Sequence, residues 1–547
     1  MDNDNNTNFS SYIKNITRVT PFKRAIISPS YIDKYGRTLY SHITFMQLDQ
    51  ESDLLCYQFE KAGIKKGMLT ILMAKPSIEF FLSLFALFKI GAIPIIPYAT
   101  KNIKGIIQYL KGVNASAFIG TPFYQLLRFV HPIAFKNIET SITIKPGKIW
   151  KKSSSSNYSF ANKSYPANEA NKDDVIAIFL TPGITEPIKG VEYTHGMLGF
   201  NAHILKSLYG ITYEETALTP FILMSLLNIA IGITAVIPKM DMFNISKTNP
   251  ETIIDLLKDA GITILQTYPA FFDKLSSYCK LKGIRLSSLK RADSIGADVY
   301  PTDLKEFSKF MQKKAGLSSI YGSIEAMVIN AAECDDSFYE TIKNTQKGFG
   351  ICIGLPINGV DVRLIKITDG PIGILTEHLL MSRGEIGEII VKGPNVSKSY
   401  FKNPEYDTIH RAQDGNDIWY RTGDIAWMDK SGRLWYCGRK NERVVTQEGT
   451  LYTIPCEAIF NNHPYVKKTA LVGVGPTHKQ TPVICVELEK IENEHAKVEK
   501  ELKEIAKTTI ITENIKLFIF LKSIPVDKYN GTKILRDKLK AIVEKMI

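Results

Sequence analysis

Between residues 40 and 120 the sequence alternates short apolar runs of strand length with stretches of helix length. This pattern restricts the fold more than any other feature. Glu51 to Ala62 carries apolar residues at helical spacing, and Met68 to Ala74 is a short apolar run. Ile78 to Ile90 is apolar nearly all round, Ala92 to Pro97 is another strand-length run, and Ala115 to Gly120 follows a further helical stretch. Strands without polar alternation are buried on both faces, and strands separated by helices pair in parallel. The expectation is an α/β fold with doubly wound sheets.

The alternation resumes at 175 and runs to about 365. After 384 the style changes to short β runs punctuated by Gly384, Gly387, Gly393 and Gly432, which predicts a β-rich subdomain. The C-terminal stretch reads as α+β, with strands near 468–474 and 482–488 and a charged helix from about 493 to 506. At 547 residues the chain exceeds what one core sustains, roughly 250–300 residues, so at least two domains are expected. Residues 151–174, rich in Ser, Asn and Lys, read as a surface loop or linker.

Phe221 to Pro238 has 18 residues without a charge, which reaches the lower end of a membrane span. Asn228, Ser225 and its glycine and proline breaks favour a buried helix followed by a buried strand, so no transmembrane segment is expected. Met1 to Asn15 has no basic region followed by an apolar core, so no secretory signal is expected. Seven widely spaced cysteines with no CxxC pair predict reduced thiols in a cytoplasmic setting, without a disulfide framework or structural zinc. The formal charge of +13 raises the question of nucleic acid or membrane binding. No nucleic-acid module or basic stripe with interleaved aromatics is visible. The surplus reads as solvated lysine, with a share left for an anionic ligand.

The run VIAIFL (175–180) reads as a buried strand entering the loop TPGITEPIKG (181–190). Hydroxyls, glycines and a lysine in one loop suit a phosphate chain, although neither a GxxxxGK[ST] nor a GxGxxG pattern is present. Downstream come YGSIEA (321–326), YRTGD (420–424), GRKNE (438–442) and VDKYNGTKILRDKL (526–539). In this order they resemble the signature motifs of the adenylate-forming superfamily, which includes acyl-CoA synthetases, peptide-synthetase adenylation domains and luciferases. The stretches at 348–372, 384–401 and 432–474 are similar to its olefin-biosynthesis β-lactone synthetases. So are YTHGM (193–197) and TAVIP (234–238).

The resemblance implies an N-terminal adenylation domain, residues 1–440, and a mobile C-terminal lid, residues 441–547. ATP and Mg²⁺ are the implied cofactors. Thr181, Gly183, Thr185 and Lys189 would face the phosphates. Tyr321 and Gly322 would lie by the adenine, with Gly296 and Ala297 lining the same pocket. Glu325 would hold Mg²⁺, Asp424 the ribose hydroxyls, and Arg439 would sit beside the ribose. Asn441 falls at the hinge, and Lys533 would stabilise the charge developing at the α-phosphate. The implied reaction joins a fatty, β-hydroxy acid to AMP and then closes a β-lactone. The implied partners are that small molecule and olefin-pathway proteins, with no nucleic acid. An acyl-CoA ligase and a non-catalytic ATP- or acyl-binding homologue are the alternatives. Gly449, the single glycine in 442–470, weakens the first.

The phosphate loop departs from the family pattern. Pro182 has no N–H to offer, Ile184 replaces a hydroxyl residue, and Glu186 stands where glycine is expected. Ile324 likewise replaces the usual threonine in YGSIEA. A carboxylate about 4 Å from a phosphate charge costs roughly 1 kcal/mol even with water-like screening. The survival of Asp424, Glu325, Arg439 and Lys533 favours an active or partly active enzyme. Glu186→Gly is therefore expected to raise turnover, measured as AMP release. An unchanged or lower rate would contradict the repulsion argument.

Overall fold

The computed structural model describes residues 8–97, 102–145, 163–182, 187–210, 213–240, 247–297, 300–489, 495–527 and 531–547. Two sheets carry the doubly wound pattern. The first has six strands, ordered Thr140–Thr143, Ala117–Gly120, Leu69–Met73, Ile93–Pro97, Val175–Leu180 and Gly190–Thr194. All neighbours are parallel except the last pair, an antiparallel hairpin. The second sheet has a parallel centre of Arg24–Ile32, Thr234–Val236, Thr216–Leu218, Ile264–Thr267, Arg291–Ile295 and Gly316–Tyr321. Thr38–Thr44 closes one edge antiparallel.

Beyond Gly316–Tyr321 the same ladder turns antiparallel through Asn330–Glu333 and Ile351–Pro356 into the glycine-punctuated β region. The expected β-rich subdomain is thus hydrogen-bonded to the second sheet, with its own apolar core around Ile389, Val391 and Tyr436. Its long strand Asp417–Met428 pairs with Leu434–Arg439 on one side and Ile386–Lys392 on the other.

Both sheets share one hydrophobic core. Every residue of the helix Ile78–Ile90 is buried in it, as the all-round apolar pattern requires. Ser77 caps its N-terminus and Gly91, at φ +76°, ends it. Lys89 is 4% exposed and lies among Asp49, Asp53 and Ser52, with Nζ 2.6 Å from each carboxylate. Phe221 to Pro238 folds as expected into a fully buried helix, Ile222–Ala230, followed by a buried strand, Thr234–Val236. Among the described residues no helix is long and apolar enough to cross a membrane. The seven cysteines are free thiols.

Where it is described, 163–174 is the surface loop expected, without helix or strand and mostly exposed, but it is anchored to the core. Tyr165 is buried and donates to Glu60 Oε1 at 2.8 Å. Asn168 donates to the Lys89 and Ile90 carbonyls at the end of the buried helix. An Asn-rich stretch can satisfy helix-end carbonyls, and composition alone does not reveal that role.

After Arg439 comes a short 3₁₀ turn, Lys440–Glu442, and then a small unit. Its strands Val466–Val474 and Thr481–Leu488 are antiparallel, with Leu517–Phe520 parallel to the second. Alternate residues feed two cores, Leu471, Ile484 and Val486 on one face and Ala470, Val472, Val483 and Cys485 on the other.

The N-terminal residues Asn8, Phe9 and Ser10 are buried, and His195 Nδ1 accepts the Phe9 N–H at 3.0 Å. That bond requires a neutral imidazole. Burial lowers the His195 pKa to about 4, with Asp174 opposing. The unfolded chain therefore binds more protons between pH 4 and the ordinary histidine value near 6.5. The prediction is a melting temperature that falls as pH drops from 7 toward 4, with a smaller fall in His195→Gln. Equal pH slopes for the two proteins would exclude the histidine.

Candidate active site

A cavity of about 560 Å³ lies where the two sheets, the β-rich ladder and the small unit meet. Nine residues expected at the site line it: Thr181, Lys189, Gly296, Gly322, Glu325, Asp424, Arg439, Asn441 and Lys533. They come from strands and turns as far as 352 residues apart in sequence, converging only through the tertiary fold. Gly183, Thr185, Ile184 and Glu186 lie outside the described residues. Tyr321 and Ala297 are near the cavity without lining it.

Thr181 and Lys189 stand at the two ends of the antiparallel hairpin Val175–Leu180 and Gly190–Thr194. The loop therefore opens from a hairpin, with the helix His195–Tyr209 starting only after the second strand. Lys189 N donates to Thr181 Oγ1 at 3.0 Å and Thr181 N to the Lys189 carbonyl at 2.9 Å, clamping the loop's base. The Thr181 oxygen is used as an acceptor there, which leaves its proton for a ligand.

Lys189 is buried, its ammonium 5.1 Å from the Tyr400 ring centre, 5.4 Å from that of Tyr406 and 3.5 Å from His410 Nε2. Glu325 lies beside it and accepts from Tyr400 Oη at 2.8 Å. Burial would raise the Glu325 carboxyl. The Lys189 charge, the Tyr400 hydroxyl and Arg411 outweigh it and hold the group below its ordinary value. Arg411 is sandwiched between Tyr400 and Tyr420, 4.8 and 4.7 Å from their ring centres. Its Nε and Nη2 are buried without a hydrogen-bond partner among the described residues. Tyr400, Tyr406, His410 and Arg411 were not anticipated. The run SYFKNPEY (399–406) could have signalled the first two, and the adjacent basic pair the others.

Asp424 and Arg439 face each other by strand register, and Gly423, at φ +73°, makes the bend between Thr422 and Asp424. Arg439 Nε is 3.2 Å from Asp424 Oδ1, and Tyr321 Oη donates to Oδ2 at 2.6 Å. Tyr321 thus buttresses the carboxylate from behind. Burial raises the Asp424 carboxyl, while Arg439, Tyr321 and Lys533 pull it back. Oδ1 is buried and makes no hydrogen bond among the described residues. Gly322 admits no side chain, since a Cβ would stand 2.0 Å from the Met327 carbonyl.

Lys533 reaches this carboxylate end from the small unit. Three residues on, Arg536 is held by Glu457 at 2.6 Å and by Glu442 of the 3₁₀ turn at 2.9 Å. That pairing ties the lysine's loop to the segment containing Asn441. Apolar lining comes from Phe221, Leu223, Met224, Tyr268, Ile295 and Met327. Of the apolar stretches 221–233 and 267–272, Phe221, Leu223, Met224 and Tyr268 reach the cavity, while residues such as Leu226, Leu227, Ile229 and Phe272 are core. Among the described residues no group of three or more His, Cys, Asp or Glu side chains is placed to hold a metal by itself. The cavity therefore suits an amphiphile whose anionic end meets Lys189, Arg439 and Lys533.

The floor under Asp424 is a buried charge cluster. Arg421 and Glu388 are both fully buried and 2.6 Å apart, and Lys440 Nζ lies 3.2 Å from the same carboxylate. Arg421 also donates to the Thr368, Gly370 and Ile409 carbonyls.

The family model described as AMP-binding enzyme matches residues 15–401. An olefin beta-lactone synthetase of Xanthomonas campestris is 32% identical over 97% of this chain and 96% of its own. One from Stenotrophomonas maltophilia is also 32% identical, over 91% and 90%. The crystal structure of ATP-bound MatB from Rhodopseudomonas palustris superposes with a TM-score of 0.78 at 18% identity, covering 99% of each chain.

Removing one partner of a buried ion pair strands the other. Glu388→Ala is therefore expected to destabilise the large domain by about 3–5 kcal/mol. Chemical denaturation would read the loss, and a change within about 1 kcal/mol would contradict the assigned role.

Proposed function

The chain belongs to the AMP-binding enzyme family, and on that premise we propose that it activates a β-hydroxy fatty acid with ATP and closes it to a β-lactone. The observation that carries the reading is one cavity lined both by Lys189, Glu325, Asp424, Arg439 and Lys533 and by apolar side chains such as Phe221, Met224 and Tyr268. The whole-chain similarity to olefin beta-lactone synthetases supports the choice of product.

Asp424 Oδ1, buried without a hydrogen bond, fits the donor hydroxyls of a ribose. Thr181, Lys189 and the unpartnered Arg411 nitrogens provide donors for the phosphate chain and offset the hydroxyls lost from its loop. Glu325, kept ionised next to that position, fits Mg²⁺, which is usually held by one or two carboxylates together with substrate phosphates. The metal would neutralise phosphate charge.

In the first step a carboxylate oxygen of the substrate attacks the α-phosphorus and pyrophosphate leaves. Lys533 stabilises the added negative charge on the phosphoryl oxygens. In the second step the substrate's β-hydroxyl oxygen attacks the acyl carbon. The ring C–O bond forms, the bond to the phosphate oxygen breaks, and AMP departs with the hydroxyl proton transferred to its phosphate. Seating the chain against Phe221, Met224 and Tyr268 brings that hydroxyl to the activated carbon, so the ring closes without a second acceptor. Residues 441–547 act as the lid, pivoting at Asn441, with Arg536 and Glu442 carrying Lys533 through the swing.

The test supplies ATP, Mg²⁺ and a 2-alkyl-3-hydroxy acid and follows AMP and β-lactone. Lys533→Ala is expected to lower the rate at least about 100-fold. Addition of CoA should leave the product unchanged. AMP release no faster than in Lys533→Ala would remove the enzyme reading, and a CoA thioester would replace the lactone.

A further inference from the structure

The helix Pro122–Val130 has no buried residue. Phe123, Leu126, Phe129 and Val130 project from it with exposures of 59–78%, and Ile133 of the following 3₁₀ turn is 68% exposed. A contiguous apolar face of this kind marks an interaction site. The helix is nevertheless firmly held. Leu127 and Tyr124 pack on the Phe118–Phe135 core, and Gln125 Nε2 donates to the Ile142 carbonyl at 2.8 Å.

The charge around it is one-sided. Residues 101–152 contain nine lysines and arginines and one acidic residue, Glu139, so this tenth of the chain holds more than half of the +13 surplus. Lys104, Lys111 and Lys136 are exposed on or next to elements that share this core, and Lys145 is exposed just after the strand Thr140–Thr143. Part of the surplus read from sequence as solvated lysine thus stands near the exposed apolar helix.

We propose that this face docks on an anionic lipid surface. The helix connects Ala117–Gly120 to the edge strand Thr140–Thr143, so its exposed aromatic and aliphatic side chains project at the edge of the six-stranded sheet. A fluid bilayer interface accommodates such a projection, whereas a folded partner would need matching pockets. The surrounding cations complement acidic headgroups. The edge is opposite, within the six-stranded sheet, to the hairpin carrying Thr181 and Lys189, so docking leaves the cavity unobstructed. The surface stands independently of the proposed reaction.

The test co-sediments the full chain with phosphatidylcholine vesicles, with and without phosphatidylglycerol. Binding is expected to be at least about tenfold stronger with the anionic lipid and to weaken as salt rises. Phe123→Ser/Phe129→Ser and, separately, Lys104→Glu/Lys136→Glu should each reduce it about tenfold, with melting temperature and AMP release unchanged. Absent binding, equal binding to neutral vesicles, or full binding by both variants would overturn the proposal. So would a lipid-free dimer that the serine variant dissolves, since that assigns the face to a second copy. If neither wild type nor variants release AMP, the vesicle result stands on its own.

Discussion

Arg421 and Glu388 lie 2.6 Å apart with no solvent exposure, and much of the site's geometry rests on that pair. A guanidinium and a carboxylate are tolerated there because Arg421 also donates to three backbone carbonyls and Glu388 receives Lys440. The cluster joins the strand Ile386–Lys392, the strand leading to Asp424 and the first residue after the large domain's last strand. Register then sets Asp424 opposite Arg439, and the left-handed Gly423 aims the carboxylate at the cavity. Lys440 adjoins Asn441, so the same charges anchor the large-domain side of the proposed pivot.

A second constraint is the pairing of each functional charge with groups that favour its ionised form against the cost of burial. Glu325 has Lys189 and Tyr400, Asp424 has Arg439 and Tyr321, and Arg536 has Glu457 and Glu442. Tyrosine recurs because its ring fills apolar space while its hydroxyl bonds an acid. Around Lys189 and Arg411 the ring faces serve the cations directly. Lys189, at the base of the altered phosphate loop, thus lies among aromatic rings and beside Glu325.

Much of the fold was legible because burial leaves a period in the sequence. The apolar runs 68–74, 92–97 and 115–120 are strands, and the all-apolar 78–90 is a helix covered on every side. The polar connections were less legible. Asn168 and Tyr165 in a low-complexity stretch cap and cover a helix end. The β-rich region was foreseen, but its hydrogen-bonded continuity with the second sheet depends on long-range pairing at Asn330–Glu333 and Ile351–Pro356. The N-terminal strand Arg24–Ile32, paired beside Thr234–Val236, also lay outside the alternation read from sequence.

The sequence by itself determined the alternating architecture, the order of the motifs and the residue types at the site, since local periodicity and short-range chemistry are written along the chain. Only the tertiary structure decided their relations. It brought Lys533 to Asp424, gave Tyr321 to the carboxylate, and set Tyr400, His410 and Arg411 around Glu325 and Lys189. It also separated the wall residues Phe221 and Met224 from equally apolar neighbours in the core. The +13 total was visible at once, but the exposure of Lys104, Lys111 and Lys136 near an uncovered apolar helix was not. Exposure and proximity depend on which surfaces the rest of the chain covers, and no local pattern records that.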